Sequence, residues 1–90
     1  MARVVWTRQA IRNLELIRRY IAQFDPRAAQ RMAQRLLSAG DSLHDFPHRG
    51  RPVTAGKREL PSVPPYVIRY EVRDNVVYIL RVRHGARRPD

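Results

Sequence analysis

Ninety residues suffice for one small domain with a single hydrophobic core, and a second core would need a longer chain. Eighteen lysines and arginines against eight acidic residues give a formal net charge of +10, which indicates an anionic partner such as nucleic acid, a ribosome or an acidic protein. The chain has no cysteine, which excludes disulfides, thiolate zinc sites and a cysteine nucleophile. Because no apolar run could span a membrane and no signal-peptide pattern is present, we expect a protein of the cytoplasm.

The first predicted elements are a short strand and an amphipathic helix. Residues 3–6 form a β-like run that we expect at the edge of a sheet. Thr7 follows as a helix N-cap, because its hydroxyl can accept a hydrogen bond from an early backbone N–H. From Ala10 to Phe24, apolar residues recur at helical spacing, and basic residues occupy the other side.

A second helix is predicted directly after the first. Asp25 is a favoured N-cap, and Pro26 is tolerated at the first helical position. An apolar stripe runs from there to Phe46, and Pro47 ends the helical pattern. Together the two helices predict an α-hairpin over about residues 8–46.

The second half of the chain predicts a loop and an antiparallel sheet. Residues 47–57 lack periodicity and are expected to form a loop. Alternating apolar and polar residues predict three strands, over about residues 58–63, 66–73 and 76–83. Asp74 and Asn75 fit a two-residue turn, since both residue types tolerate positive φ. The chain is therefore predicted to be a single α+β domain.

This turn fixes a predicted register for the last two strands. It pairs Val72 with Val77, Tyr70 with Ile79, and Ile68 with Arg81. The face away from the helices is then a mixed one, which carries Val67, Arg69, Glu71, Arg73, Val76, Tyr78, Leu80 and Val82. Because that face is too apolar to be left bare, we expect a partner segment to cover it.

Basic residues supply the candidate functional groups. Arginines near the strand ends could bind phosphate beside nearby tyrosines, or they could simply form a solvated basic face. The arginines of the first half are interpreted as solvated helix surface. His84 lies among arginines and could transfer protons near neutral pH, or it could only fix the C-terminal tail by a hydrogen bond.

Metal and carboxylate chemistry have weaker support. His44 and His48 are four residues apart, but Pro47 interrupts the helix that would align them, so we predict no metal and no cofactor. Glu59 could pair at the surface with Lys57 or Arg58, or it could be a base in phosphodiester cleavage, although nothing in its spacing singles it out.

Several strings, in this order, match one family along nearly the whole chain. They are Trp6-Thr7-x-x-Ala10, Leu14-x-x-Ile17-x-x-Tyr20-Ile21, Pro47-x-x-Gly50-Arg51, Arg58-Glu59-Leu60, Tyr66-Val67-Ile68-Arg69-Tyr70 and Ile79-Leu80-Arg81-Val82-x-His84-Gly85-x-Arg87. The chain thereby resembles the RelE/ParE superfamily of type II toxin–antitoxin toxins. The resemblance implies a short N-terminal strand, an α-hairpin and then a three-stranded antiparallel sheet. It also implies a cognate antitoxin that wraps the toxin, in a heterodimer or a 2:2 heterotetramer.

The superfamily contains two unlike activities, so the resemblance leaves two functions open. One branch cleaves mRNA on the ribosome, and for that branch the catalytic candidates are His84, Arg81, Arg87 and Arg69. Against this reading, Val67 stands where an arginine is expected, and Gly50-Arg51-Pro52-Val53 lacks the glutamate that some members carry.

The ParE-like branch poisons DNA gyrase, is not itself an enzyme and arrests growth. The Tyr-Val-Ile-x-Tyr strand and the Leu-Arg-Val-x-His-Gly-x-Arg ending resemble this branch more closely, so a gyrase inhibitor is the preferred reading. Residues expected to contact the target or the antitoxin are Arg69, Tyr78, Leu80, Arg81, Arg83, His84 and Arg87.

Overall fold

The structure, a computed structural model, describes residues 1–86. Its elements are β1 (Arg3–Trp6), α1 (Arg8–Ala22), α2 (Pro26–Asp41), β2 (Arg51–Pro52), β3 (Lys57–Val63), β4 (Tyr66–Arg73) and β5 (Val76–His84). Single 3₁₀ turns lie at Ser42–His44 and Thr54–Gly56. The strands form one sheet in the order β1-β5-β4-β3-β2, with β1 parallel to β5 and the other neighbours antiparallel.

The predicted α+β class is confirmed, and the sheet is larger than predicted. The three C-terminal strands form an antiparallel meander, as expected, and β1 lies at a sheet edge. β1 extends this meander by pairing with β5. The two strands are parallel because the α-hairpin crosses one face of the sheet between β1 and the meander. At the opposite edge, Arg51 and Pro52 lie within the predicted loop but pair with Glu59 and Arg58 of β3.

Both predicted helix starts have the expected capping bonds. The Thr7 hydroxyl accepts a hydrogen bond from the Ala10 N–H at 3.2 Å. The Asp25 carboxylate accepts one from Arg27 N–H and one from Ala28 N–H, each at 3.1 Å. These bonds satisfy N–H groups that have no partner within the helix. Neither helix within residues 1–86 is long and apolar enough to cross a membrane.

The two phenylalanines at the helix ends are not in the core, contrary to prediction. α1 ends at Ala22 and α2 at Asp41, so Phe24 and Phe46 both follow the helix whose stripe they were predicted to extend. Phe24 is 74% exposed and Phe46 is 66% exposed. Helical spacing places a residue on the buried face only while the backbone stays helical.

The last hairpin confirms most of the predicted register and departs from it at one residue. Asp74 and Asn75 form the turn with φ values of 50° and 60°, and the pairs Val72–Val77 and Tyr70–Ile79 form as predicted. A β-bulge at Leu80 then shifts the register, so Ile68 pairs with Val82 and not with Arg81.

The bulge also changes which side chains reach the core. Val82 was predicted on the mixed face, but it is only 3% exposed and packs in the core. The extra residue in β5 reverses the side-chain alternation beyond Ile79. The core contains the helix residues Ala10, Leu14 and Leu36 together with inward residues of β4 and β5.

A glycine ties the segment after the helices to the core. The Gly50 N–H donates a 2.8 Å hydrogen bond to the Tyr70 hydroxyl, and Tyr70 is fully buried. A Cβ atom on Gly50 would lie 2.6 Å from that hydroxyl oxygen, so a larger residue does not fit without movement. Burial raises the pKa of Tyr70, which keeps its hydroxyl neutral at physiological pH.

Candidate functional site

The Leu80 bulge distributes the candidate site residues over two sides of the sheet. Arg69 pairs with Arg81, and Val67 pairs with Arg83, so these arginines share the face turned away from the helices, called the open face below. His84 pairs with Tyr66, a core residue, and so belongs to the helix side. Arg69 is therefore separated from His84 by the sheet, whereas Arg81, at the exposed edge of β5, lines the same groove as His84.

On the open face, a buried carboxylate gathers three arginines into what we call the Glu59 cluster. Arg69 donates to Glu59 Oε2 from Nε at 3.2 Å and from Nη2 at 2.9 Å. Arg83 Nη2 donates to the same oxygen at 2.8 Å, and Arg51 Nη2 reaches Oε1 at 3.5 Å. Glu59 is 2% exposed, whereas the Arg51 side chain is largely exposed.

The environment of Glu59 holds it in the ionised form. Burial alone would raise its pKa, but the hydrogen bonds and charges of Arg83 and Arg69 outweigh burial and lower the pKa below the ordinary 4.5. A carboxylate held this way is a poor general base, because its lone pairs are already engaged. The prediction that Glu59 pairs at the surface with Lys57 or Arg58 was wrong. Arg58 instead donates to the carbonyls of His48 and Gly50.

His84 ends β5 at the surface. Its ring packs edge-on against Tyr66 with 5.7 Å between ring centroids. Its Nδ1 accepts a hydrogen bond from the Ala86 N–H at 3.1 Å, which leaves the proton of the neutral ring on Nε2. The predicted tail-fixing bond is thus present.

Beside His84, a groove runs between α1 and the exposed edge of β5. It encloses about 710 Å³ and is lined by Gln9, Asn13, Leu16, Ile17, Tyr20, Tyr66, Arg81, Val82, Arg83 and His84. Asn13 Oδ1 accepts a 3.1 Å hydrogen bond from the Val82 N–H and so caps the strand edge from the helix. The α1–β5 groove has apolar side chains on its helix wall and basic ones on its strand wall, which suits an acidic, partly apolar segment.

The other predicted contact residues lie farther from this groove. Tyr78 pairs with Glu71 on the open face, and the guanidinium carbon of Arg73 lies 4.6 Å from its ring centroid. Leu80 is half-buried at the bulge, where its carbonyl accepts a 3.3 Å hydrogen bond from the Thr7 hydroxyl. Arg87 lies outside the described residues.

The most exposed apolar side chains of the described chain are not on the open face, where a covering partner was expected. They lie mainly on and after α1, and the large ones are Met1, Ile11, Leu16, Tyr20, Phe24, Leu37 and Phe46. Tyr20 and Phe24 pack edge-on with 5.5 Å between centroids, and Leu16 precedes them by one turn. The spacing of four residues among these three was the available sequence signal, because it marks a second apolar stripe on α1.

The Glu59 cluster was also missed from the sequence. Once β3 is paired antiparallel to β4, Glu59 stands directly opposite Arg69, and such opposite charges attract. The register of β3 and β4 shifts between Leu60 and Val63, so counting residues back from the turn between these strands does not predict this pair. Within residues 1–86, no group of three or more side chains could hold a metal ion.

Comparisons with known proteins identify the family. Residues 4–89 match the family described as ParE toxin of type II toxin-antitoxin system, parDE. The chain is 61% identical over 87 residues to Toxin RelE2 of Caulobacter vibrioides, an alignment that covers 97% of this chain and 99% of that protein. It is 41% identical over 70 residues to Toxin RelE1 of the same organism, with 73% of this chain and 74% of that protein covered.

A solved structure supports the same assignment. The fold superposes with a TM-score of 0.83 and 26% identity on a chain of the chromosomal ParDE TA system from P. aeruginosa, covering 93% of this chain and 96% of that one. The fold and the sequence together define a toxin of the RelE/ParE superfamily. The chain belongs to the ParE toxin family of type II toxin–antitoxin systems, and a cognate antitoxin is therefore its partner.

Proposed function

We propose that this toxin arrests growth by binding a protein target, with DNA gyrase as that target, and that it performs no catalysis of its own. The observation that carries the proposal is the separation of Arg69 from His84. Arg69 is engaged by Glu59 on the open face, while His84 lies on the helix side, where Arg81 is the candidate that lines the same groove. Cleavage of a phosphodiester by a base and a phosphate clamp would require them at one point.

The gyrase assignment itself rests on the ParE-like resemblance. The family match and the ParDE structural relative favour that branch over the ribonuclease branch. In this proposal Arg81, His84 and Arg87 are contact residues for the target, and the protein acts in the cytoplasm.

The antitoxin is proposed to occupy the α1–β5 groove as well as the basic strand end. Leu16 and Tyr20 offer an apolar wall, and Arg81 and His84 lie on the opposite wall. An antitoxin segment with alternating apolar and acidic residues would match both walls. The complex would be a heterodimer or a 2:2 heterotetramer.

A ribosome-dependent mRNA ribonuclease is the second candidate. It is favoured by the exposure of His84, whose Nε2 can meet a ligand, and by the arginines on the neighbouring strand positions. The names of two relatives, Toxin RelE2 and Toxin RelE1, also favour it. In this alternative His84 would be the acid or base, and Arg81, Arg87 and Arg69 would stabilise the phosphate.

The decisive experiment compares DNA and mRNA damage in the same cells. After brief induction of the toxin without antitoxin, we expect loss of DNA supercoiling and double-strand breaks, with translated mRNA intact. A gyrase carrying a target-site resistance change should abolish the breaks. Codon-phased mRNA cuts with intact DNA would establish the ribonuclease and reject the gyrase proposal.

Variants connect the outcome to the residues. His84→Ala and Arg81→Ala should weaken the gyrase effect, and Arg8→Ala is the matched control because Arg8 is exposed at the start of α1 and does not line the α1–β5 groove. If His84→Gln keeps full toxicity, His84 acts by shape and hydrogen bonding, as a contact residue would. Loss of activity in His84→Gln with retained target binding would indicate proton transfer.

A further inference from the structure

The outward face of α2 consists of hydrogen-bond donors. Opposite the side that packs Ala29, Leu36 and Gly40, six polar positions between residues 27 and 38 are exposed. They are Arg27, Gln30, Arg31, Gln34, Arg35 and Ser38. Each carries an N–H or O–H group, and none carries a carboxylate. We call these six residues the α2 donor face. Leu37, 36% exposed, borders them, and Asp41 follows at the helix end, where its carboxylate accepts a hydrogen bond from Trp6.

The three arginines of this face are not neutralised by acids of the described chain. Arg27, Arg31 and Arg35 follow one another at intervals of four residues, so their positions are about 6 Å apart along the helix axis. Within residues 1–86, none of them forms an ion pair, whereas Glu15 bonds Arg18 on α1. Like charges at this spacing disfavour a helix slightly, and an anionic ligand along the face would relieve that repulsion.

A shallow groove extends the face toward the sheet. It encloses about 470 Å³ between α2 and β3 and is lined by Arg31, Gln34, Arg35, Ser38, Ala39, Ser62 and Val63. The groove therefore brings hydroxyl and amide groups beside two of the guanidinium groups. Arginine, glutamine and serine are the side chains that typically donate to phosphate oxygens in complexes with DNA.

We propose that the α2 donor face binds the phosphate backbone of duplex DNA without sequence specificity. The helix is 16 residues long, about 24 Å, and a convex helix of this kind fits a B-form major groove about 12 Å wide. The major groove of A-form RNA is too narrow to admit it. The face has no central apolar anchor, which a tightly bound protein partner would normally require.

This inference goes beyond the proposed function, because it holds whether the toxin acts on gyrase or on mRNA. The toxin itself would contact DNA, in addition to any DNA contacts made by the antitoxin or the target. The interpretation of these arginines as solvated helix surface is thereby replaced for α2 alone.

The test measures binding of the full chain to a short fluorescent DNA duplex of arbitrary sequence, by anisotropy over a range of salt concentrations. The variant R27Q/R31Q/R35Q removes the basic side chains and keeps good helix formers. R3Q/R8Q/R12Q is the matched control, because it removes the same charge from three exposed positions elsewhere.

We expect the α2 variant to bind at least about tenfold more weakly near physiological salt. The slope of log K against log salt should fall by about 2.7, since each lost phosphate contact contributes about 0.9. The control variant should change the slope by less than about one contact. Thermal melting checks the fold, and single Arg→Gln variants, each lowering the slope by about 0.9, serve if the triple variant does not fold.

Three outcomes would overturn the proposal. Equal losses in the two triple variants would mean that only overall charge matters. Tighter binding of an RNA hairpin, with the loss confined to RNA, would assign the face to RNA. Competition by polyglutamate as effective as competition by DNA would assign it to an acidic protein partner.

Discussion

The two sides of β5 near its end carry similar basic residues in very different states. On the open face, Arg69 and Arg83 are largely buried and bound to one carboxylate, Glu59. On the helix side, the α1–β5 groove presents exposed Leu16 and Tyr20 beside His84, with no acidic residue among its lining. On the open face the charges of Arg69 and Arg83 are thus compensated by Glu59, and the groove is the surface that we propose for a partner. From the sequence alone, the open face was expected to be the side that a partner covers.

The largest expected effect is the loss of the central acid of the Glu59 cluster. Glu59→Ala should lower the free energy of unfolding by about 3 kcal/mol, because two mostly buried guanidinium groups would face each other without compensation. Urea unfolding followed by circular dichroism measures this. Glu15→Ala is the control, since Glu15 also bonds arginines but at the surface, and its midpoint should not move measurably.

An equal, small loss in both variants would contradict the comparison. It would mean that water already solvates Arg69 and Arg83 in the folded protein. The open face would then be as available to a partner as the groove.

A smaller effect is expected on the other side, and it concerns binding. Leu16→Asp should weaken antitoxin binding by about 2 kcal/mol, roughly thirtyfold, because it places a charge on the apolar wall of the groove. Ile11→Asp is the matched control: Ile11 is 48% exposed and Leu16 is 54% exposed on the same helix, but Ile11 does not line the groove. Calorimetric titration with the antitoxin measures both variants. Equal losses would place the antitoxin elsewhere on α1.

The strand edge at the bottom of the groove gives a third, smaller expectation. Asn13→Ala removes the acceptor for the Val82 N–H and should cost about 1 kcal/mol of stability. Amide hydrogen exchange at Val82 should accelerate, while exchange at Val77, on the same strand, should not. Unchanged exchange at Val82 would show that another group accepts this bond, and that the groove wall does not depend on α1.

How far the sequence predicts these features depends on the range of the contact involved. The caps at Thr7 and Asp25 and the Asp74-Asn75 turn are local, so residue type and spacing were sufficient. The bulge at Leu80 is not a local feature, because nothing in the sequence of β5 indicates where the extra residue is accommodated. Its position follows from packing against α1 and β1, where Thr7 bonds the carbonyls of Ile79 and Leu80.

The same reasoning explains the errors about the site. Arg69 and His84 were both predicted as site residues, but their separation by the sheet depends on the bulge at Leu80 and could not be predicted. Glu59 looked like a surface residue because its two strongest partners are 10 and 24 residues away in sequence. The parallel partnership of β1 with β5 likewise depends on the path of the whole α-hairpin.

The smallest expected effect is a dependence of stability on pH that involves the open face and not the α1–β5 groove. Because the folded-state pKa of Glu59 lies below the ordinary 4.5, the stabilisation by its ionised form is fully present above pH 4.5 and is lost as the pH falls through the lower folded-state value. The difference in unfolding free energy between the wild type and Glu59→Gln should therefore be constant near neutrality and narrow as the pH falls below 4.5. Glu59 does not line the groove that we propose for the antitoxin, so Glu59→Gln should leave the affinity for the antitoxin unchanged at neutral pH. The opposite result would be a Glu59→Gln variant that loses affinity for the antitoxin but keeps the wild-type dependence of stability on pH. The antitoxin would then bind the open face and not the groove.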